Sequence, residues 1–265
     1  METTGAITGY IDVAQIVLYA FWIFFFTLVF WLHRESKREG YPLEPDTGVG
    51  RHKEGFPRVP APKTFALPGG TSVTVPEDKP EPELKARRMV PSAGSPYVPE
   101  GDPMLAAVGP GAYANRAEVP DAMYDGTPRL QPLRLLTDFH VDSHDPDPRG
   151  MDIVGADGVS GGRVVDVWAD RAEQILRYYE FEKTGGGRAL VPVNFTQIPI
   201  NPIGILQPGK KPKLIKVMSI KGAHFADVPT LANPDQVTLR EEDRIMGYYG
   251  GGYLYADASR QEPLL

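Results

Sequence analysis

Apolar and polar positions alternate in three distinct ways along the chain. From Val13 to Leu32 the sequence reads VAQIVLYAFWIFFFTLVFWL, with no charge and with Gln15 as its only strongly polar side chain. Twenty residues in a helix rising about 1.5 Å each span roughly 30 Å, the thickness of a bilayer's hydrocarbon core. A buried core helix would carry a polar stripe, and this stretch has none. A cleaved signal peptide would have positive charge ahead of the apolar run and a small-x-small site after it. Here Glu2 and Asp12 precede the run, His33-Arg34-Glu35-Ser36-Lys37-Arg38 follows it, and no such site is present. The pattern predicts one transmembrane helix over 13–32, N-capped by Asp12. The basic flank puts residues from 33 onward in the cytoplasm and the short N-terminus, 1–12, outside.

Residues 33–130 show neither period. Prolines and glycines crowd them, as in Phe56-Pro57-Arg58-Val59-Pro60-Ala61-Pro62 and Lys79-Pro80-Glu81-Pro82. Proline at this density excludes long helices and central strands. One run, Thr71 to Val75 after the turn Pro68-Gly69-Gly70, has the look of a strand. Scattered apolar residues (Phe56, Phe65, Leu67, Val73, Tyr97, Met104, Leu105) favour an extended strap laid on a partner over a free linker, which would be more polar.

From residue 131 to 258 the pattern becomes that of strands between glycine turns. Candidates are Arg163–Asp170, Ile175–Lys183, Arg188–Asn194 and Lys213–Met218, with Thr184-Gly185-Gly186-Gly187 as a turn. Consecutive strands with short turns predict an antiparallel meander or small barrel. Pro192 belongs at an edge or a bulge. Thr238-Leu239-Arg240-Glu241 has the form of a capping box and predicts a helix from Glu241 to about Tyr249, ended by Gly250-Gly251-Gly252. Residues 259–265 remain as a tail.

Composition narrows the chemistry. The chain has no cysteine, which removes disulfides, thiolate metal sites and cysteine nucleophiles. A net charge of −6 argues against nucleic acid as a partner. Two constellations remain. Asp170-Arg171-Ala172-Glu173, with Arg177 four residues on, places two carboxylates and a guanidinium between predicted strands. Neighbouring carboxylates raise one another's pKa and an arginine lowers it, the tuning a proton relay needs. An acidic hairpin loop with a salt bridge has the same composition. The other is Asp138 to Asp147. If extended, it would point Asp138, His140, Asp142 and His144 to one face. They could bind a divalent metal, collect protons at a surface, or form a solvated strand edge. Asn194-Phe195-Thr196 matches a glycosylation sequon on the wrong side of the membrane. The glycine runs lack a phosphate-binding loop's lysine and spacing. His224 reads as packing or capping.

Several stretches, in order along almost the whole chain, carry a resemblance. They are Ile11-Asp12-Val13-Ala14-Gln15, Tyr19-Ala20-Phe21-Trp22-Ile23-Phe24, Arg38-Glu39-Gly40-Tyr41-Pro42-Leu43, Pro62-Lys63-Thr64-Phe65, Gly101-Asp102-Pro103-Met104 and Val108-Gly109-Pro110. Further on come Asp147-Pro148-Arg149-Gly150, Val164 to Asp170, His224 to Thr230, and Glu241-Glu242-Asp243-Arg244. On these the chain resembles the H subunit of the purple-bacterial photosynthetic reaction centre. The resemblance implies one transmembrane α-helix plus a mainly-β cytoplasmic domain, a PRC-type antiparallel β-barrel, with short C-terminal helices. It implies a single-pass protein of the inner (intracytoplasmic, chromatophore) membrane with a periplasmic N-terminus.

It also implies a role without a catalytic site of its own. The chain would cap the two pigment-binding core subunits, stabilise them, shield the quinones and conduct protons to the secondary quinone. Membrane lipids, a cytochrome subunit and the light-harvesting antenna ring are further candidate partners. The chain alone would bind no cofactor and no metal. The complex would hold bacteriochlorophyll, bacteriopheophytin, quinones, non-haem iron and carotenoid. The matched stretch makes Asp170 and Glu173 the expected proton carriers, tuned by Arg177. Some members carry histidines beside an acid where this chain has Asp125-Gly126-Thr127-Pro128-Arg129. Here Thr127 and Arg129 take those places, leaving Asp125 as a lesser candidate and His140 and His144 as a substitute proton-collecting pair. The competing readings are a membrane-anchored hydrolase or metal-dependent enzyme built on Asp138–His144, and a PRC-type adaptor that tethers soluble proteins.

Overall fold

A computed structural model of the chain describes residues 5–41, 55–77, 84–92, 94–199 and 214–261. Pro42-Leu43 of one resembling stretch, the proline run Lys79–Pro82, Lys213 of a predicted strand and the end of the tail lie outside the described residues. The chain forms two compact units, Met1–Leu84 with Arg88–Pro96, and Lys85–Arg87 with Tyr97–Leu265.

The first unit is built on helix α1, Val13–Arg38. Asp12 caps it as expected: its Oδ1 accepts the Gln15 N–H at 2.7 Å, and Gln15 Oε1 accepts the Asp12 N–H at 3.2 Å. Among the described residues, none of the apolar window of α1 is buried. Thr27, inside the apolar run, donates its hydroxyl to Ile23 O at 2.7 Å. Such internal pairing is what a lipid environment demands of a polar group. The helix continues past Leu32 to Arg38, because Lys37 and Arg38 suit the negative end of the helix dipole. Beyond it, strands β1 (Lys63–Ala66) and β2 (Ser72–Val75) form a hairpin, with Phe65 opposite Val73. The strand expected at 71–75 therefore has a partner.

Strands β3 (Ala86–Arg88) and β4 (Tyr97–Pro99) form a short ladder of their own. The body of the second unit is a seven-stranded sheet. It comprises β5 (Leu130–Pro132), β6 (Asp152–Val154), β7 (Ser160–Asp170), β8 (Ile175–Lys183), β9 (Arg188–Pro192), β10 (Thr196–Gln197) and β11 (Leu214–Val217). The spatial order is β10-β11-β6-β7-β8-β9, and β5 also pairs with β7. One edge of β7 carries β8 along its length; the other carries β6 near its start and β5 near its end. The β11–β6 pair is parallel, a departure from the expected all-antiparallel meander. The strands are about sixty residues apart in sequence, ample for the crossover that parallel pairing requires. Pro192 ends the edge strand β9, where its missing N–H costs no ladder bond.

Ile153, Val164, Trp168, Phe181, Leu190 and Ile215 fill the core against Phe225 and helix α2, Leu239–Tyr255. Thr238 and Glu241 form the expected capping box, each accepting the other's backbone N–H. The helix does not stop at Gly250, however, but runs through the glycine triplet to Tyr255. The triplet serves close approach instead: a Cβ at Gly252 would sit 2.5 Å from Ile220 Cγ2 and 2.9 Å from Ser219 O. His224 has a capping role, its Nδ1 accepting the Lys221 N–H at 3.2 Å.

Charge is buried in the sheet as well. Arg134, just after β5, donates to Asp166 at 3.0 Å, to Glu180, and to Asp235 at 2.8 Å. Glu180 also accepts from Trp168 Nε1 at 3.1 Å and from Arg188 at 3.1 Å.

Candidate functional site

The β7–β8 turn carries the main candidate. A register shift between Trp168 and Ala169 breaks the alternation of β7, and its last residues, Val167 to Asp170, are all buried. The shift turns Asp170 inward at the end of the strand. Its Oδ1 accepts the N–H groups of Ala172 (2.9 Å) and Glu173 (3.1 Å), and its carbonyl accepts that of Gln174 (2.8 Å). Gln174 completes the turn at φ +57°. Asp170 thus organises the turn that presents Glu173.

Two guanidinium groups bind this pair of acids. Arg129, the residue before β5, is bidentate to Asp170, with Nε–Oδ1 2.9 Å and Nη2–Oδ2 2.8 Å. The same Nη2 donates to Glu173 Oε1 at 2.7 Å, and Nη1 lies 3.4 Å from Asp121 Oδ2. Arg177 donates to Glu173 Oε2 at 2.6 Å and reaches Asp170 Oδ2 at 3.4 Å. Asp170 is 3% exposed at its side chain and Glu173 is 50% exposed, so the two carboxylates differ in access to water. Burial alone would push the Asp170 carboxyl up. The Arg129 hydrogen bonds and the two backbone N–H groups outweigh it and hold the carboxyl below the usual range.

These groups line one side of a cleft of about 620 Å³. Tyr178 and Glu242 line it too, the Tyr178 hydroxyl donating to Glu242 Oε2 at 3.1 Å. Burial raises the Glu242 carboxyl above the ordinary value, and Asp121 and Asp243 add to that.

The sequence candidates divide on this geometry. The structure brings Asp170, Glu173 and Arg177 together. Asp125 lies nearby, at the tip of a small hairpin closed by Ala122 and Pro128. It accepts from Thr127 Oγ1 at 2.6 Å and Thr127 N at 2.9 Å, which keep its carboxyl below the usual range. Arg171 ties that hairpin to the β7–β8 turn through Thr127 Oγ1 and Pro128 O. Residues 138–147 form turns and irregular chain, not the extended strand that would have aligned Asp138, His140, Asp142 and His144. Asx-type pairing and the prolines at 146 and 148 set this path. Asp142 accepts the His144 backbone N–H at 2.8 Å, and its ring nitrogen lies 2.9 Å away. Among the described residues no group of three or more His, Asp or Glu side chains is placed to hold a metal ion.

Arg129, Asp121, Tyr178 and Glu242 also line the site, and no local pattern in the sequence marks them. Arg129 precedes a three-residue strand containing proline, too short for any period to reveal. Its pairing with Asp170 spans 41 residues.

The long apolar helix α1 and the mixed sheet that follows define a class, a membrane-anchored protein with a PRC-barrel domain, and a family model for that domain matches residues 141–212. A model for the N-terminal region of the photosynthetic reaction centre H chain matches residues 5–135. The chain belongs to the family of reaction-centre H subunits. It is therefore a single-pass membrane protein that associates with other reaction-centre subunits, in a complex that carries cofactors.

Proposed function

We propose that this chain caps the pigment- and quinone-binding core on the cytoplasmic face, stabilises it, and passes protons toward the secondary quinone without a catalytic site of its own. The observation that carries the proposal is the guanidinium-bridged pair Asp170–Glu173 at the wall of a cleft, in a chain of this family. The basic flank after α1 supports the cytoplasmic orientation. Reducing a quinone to quinol takes two electrons and two protons, and a covered quinone receives its protons through side chains or ordered water.

The two acids take different parts. Glu173, half exposed and singly bonded on each oxygen, is the group that takes up and gives away a proton. Asp170 stays ionised under Arg129 and acts as a fixed counter-charge that orients the turn. Arg177 tunes Glu173. Asp125, His140 and His144 enter only as surface groups that collect protons ahead of the relay.

The test is flash-induced proton uptake and the second, proton-coupled electron transfer in the assembled complex. Glu173→Gln with Asp170→Asn slows that step by on the order of 100-fold, the lower end of what a positioned proton carrier contributes. Primary charge separation keeps its rate. His140→Ala with His144→Ala has a smaller effect than Glu173→Gln alone. An unaltered second transfer in the Glu173→Gln, Asp170→Asn complex would sink the relay, and lost charge separation in a correctly assembled one would contradict the division of labour.

A further inference from the structure

A later segment of the first unit comes back to helix α1 at the level of its apolar run. The chain leaves α1 at Arg38 and returns to it at Gly55-Phe56-Pro57. The Phe56 ring packs against Phe30 with centroids 5.7 Å apart. Phe30 lies inside the uncharged run that ends at Leu32. Eight residues separate it from the end of the helix, about 12 Å along the axis at 1.5 Å per residue. Phe56 therefore sits well back from the helix end, beside the last apolar turn.

Two hydrogen bonds from the end of α1 hold the segment there. Lys37 donates from Nζ to Gly55 O at 3.3 Å. Arg38 donates to Ala61 O and is itself fixed by Glu35 at 2.8 Å. Gly55 adopts φ +94°, a left-handed conformation that glycine enters without strain, and this bend directs Phe56 at the helix. The backbone is thus tied down on both sides of Phe56, yet the ring itself is 83% exposed. In water, a phenyl ring held out by a constrained loop is unfavourable. At the level of Phe30 the surroundings are the boundary between hydrocarbon and headgroups, where aromatic rings are favoured. Arg34 in the last turns of α1 and Arg58, two residues after Phe56, are exposed, and Lys63 stands close enough to Glu35 to act on its charge, a set of cations that suits headgroup phosphates.

We infer that Gly55-Phe56-Pro57 is a second membrane attachment, in which Phe56 enters the hydrocarbon–headgroup boundary of the leaflet where α1 ends. α1 sets the depth of the chain; Phe56 fixes its rotation about the helix axis. A single helix is free to turn in its bilayer, and a wedge on one side removes that freedom. The inference rests on α1 crossing the membrane and on none of the proton chemistry.

The absence of cysteine makes the test clean. Single Phe56→Cys, Ile23→Cys and Tyr124→Cys variants of the full chain are spin-labelled. Each is reconstituted into phosphatidylcholine–phosphatidylglycerol vesicles, alone and in the assembled complex. Relaxation by oxygen is compared with relaxation by a water-soluble nickel chelate. The label at 56 is expected to favour oxygen, as at Ile23 in the span, and unlike Tyr124, which is fully exposed in the second unit. Phe56→Trp keeps an aromatic ring there and is expected to add a fluorescence component quenched by lipids brominated near the headgroup. Preference for the chelate at 56, with no lipid quenching of the Trp variant, overturns the inference. So does a label sealed from both reagents in the complex, which would make Phe56 a contact with a partner subunit. Chelate access at Ile23 would instead overturn the membrane span.

Discussion

At the scale of single residues, Asp170 is tightly constrained. It is buried, bidentate to Arg129 and bonded by two backbone N–H groups. Arg129→Ala leaves that charge buried without its main partner and destabilises the unit by roughly 3–5 kcal/mol, measured by urea unfolding. The pH dependence follows from the sign of the shift. The folded-state value of Asp170 lies below its unfolded value of about 3.9, so its contribution is complete above that pH and disappears as pH falls through the lower, folded value. Unfolding curves of the parent and Asp170→Asn therefore keep a constant separation from pH 7 to about 5 and converge below about 4. Glu242 behaves oppositely. Burial raises its carboxyl, so its ionisation opposes folding as pH rises above the unfolded value of about 4.3. Glu242→Gln makes the isolated chain more stable at pH 7 than at pH 4, relative to the parent. An unchanged difference between those two pH values would contradict the assignment.

At the scale of elements, the glycines of α2 separate local propensity from packing. The triplet at 250–252 reads as a helix stop, since glycine is a poor helix former. The helix continues because its neighbours come too close for side chains. A Cβ at Gly252 would meet Ile220 at 2.5 Å and the Ser219 carbonyl at 2.9 Å, whereas at Gly250 the nearest atom is Pro110 O at 3.4 Å. Two substitutions of one kind thus have opposite signs. Gly252→Ala costs about 1–3 kcal/mol through overpacking. Gly250→Ala gains up to about 1 kcal/mol from helix propensity. Thermal unfolding of the two variants checks both. Equal effects would show that packing does not decide the matter. The Asp138–His144 segment taught a similar lesson. Alternating acids and histidines resemble a strand, but a strand needs a neighbour to bond, and turn-forming Asp142 and the two prolines act first.

At the scale of the whole molecule, the two matched segments meet within the second unit. β5 lies before the PRC-barrel match, yet it completes the edge of β7, and Arg129 and Arg134 on either side of it neutralise Asp170, Asp166 and Glu180. A fragment starting at residue 141 would leave three buried carboxylates short of their partners and expose the end of β7. It is expected to lack the cooperative unfolding transition expected of residues 97–261, as checked by circular dichroism during denaturation. A fully cooperative fragment would contradict this. The sequence by itself determined the elements that depend on neighbours close along the chain. These are α1, whose twenty uncharged residues leave lipid as the natural surrounding, its Asp12 cap, the Thr238–Glu241 capping box, and the β7–β8 hairpin with Asp170, Glu173 and Arg177 at its turn. Hydropathy, caps and turns act over a few residues and leave a local trace. Only the tertiary structure decided which charge answers which acid, why a glycine triplet stays helical, and that Phe56 returns to α1. Those contacts join residues 26 to 46 positions apart or more, and nothing in the local pattern of either partner records the other.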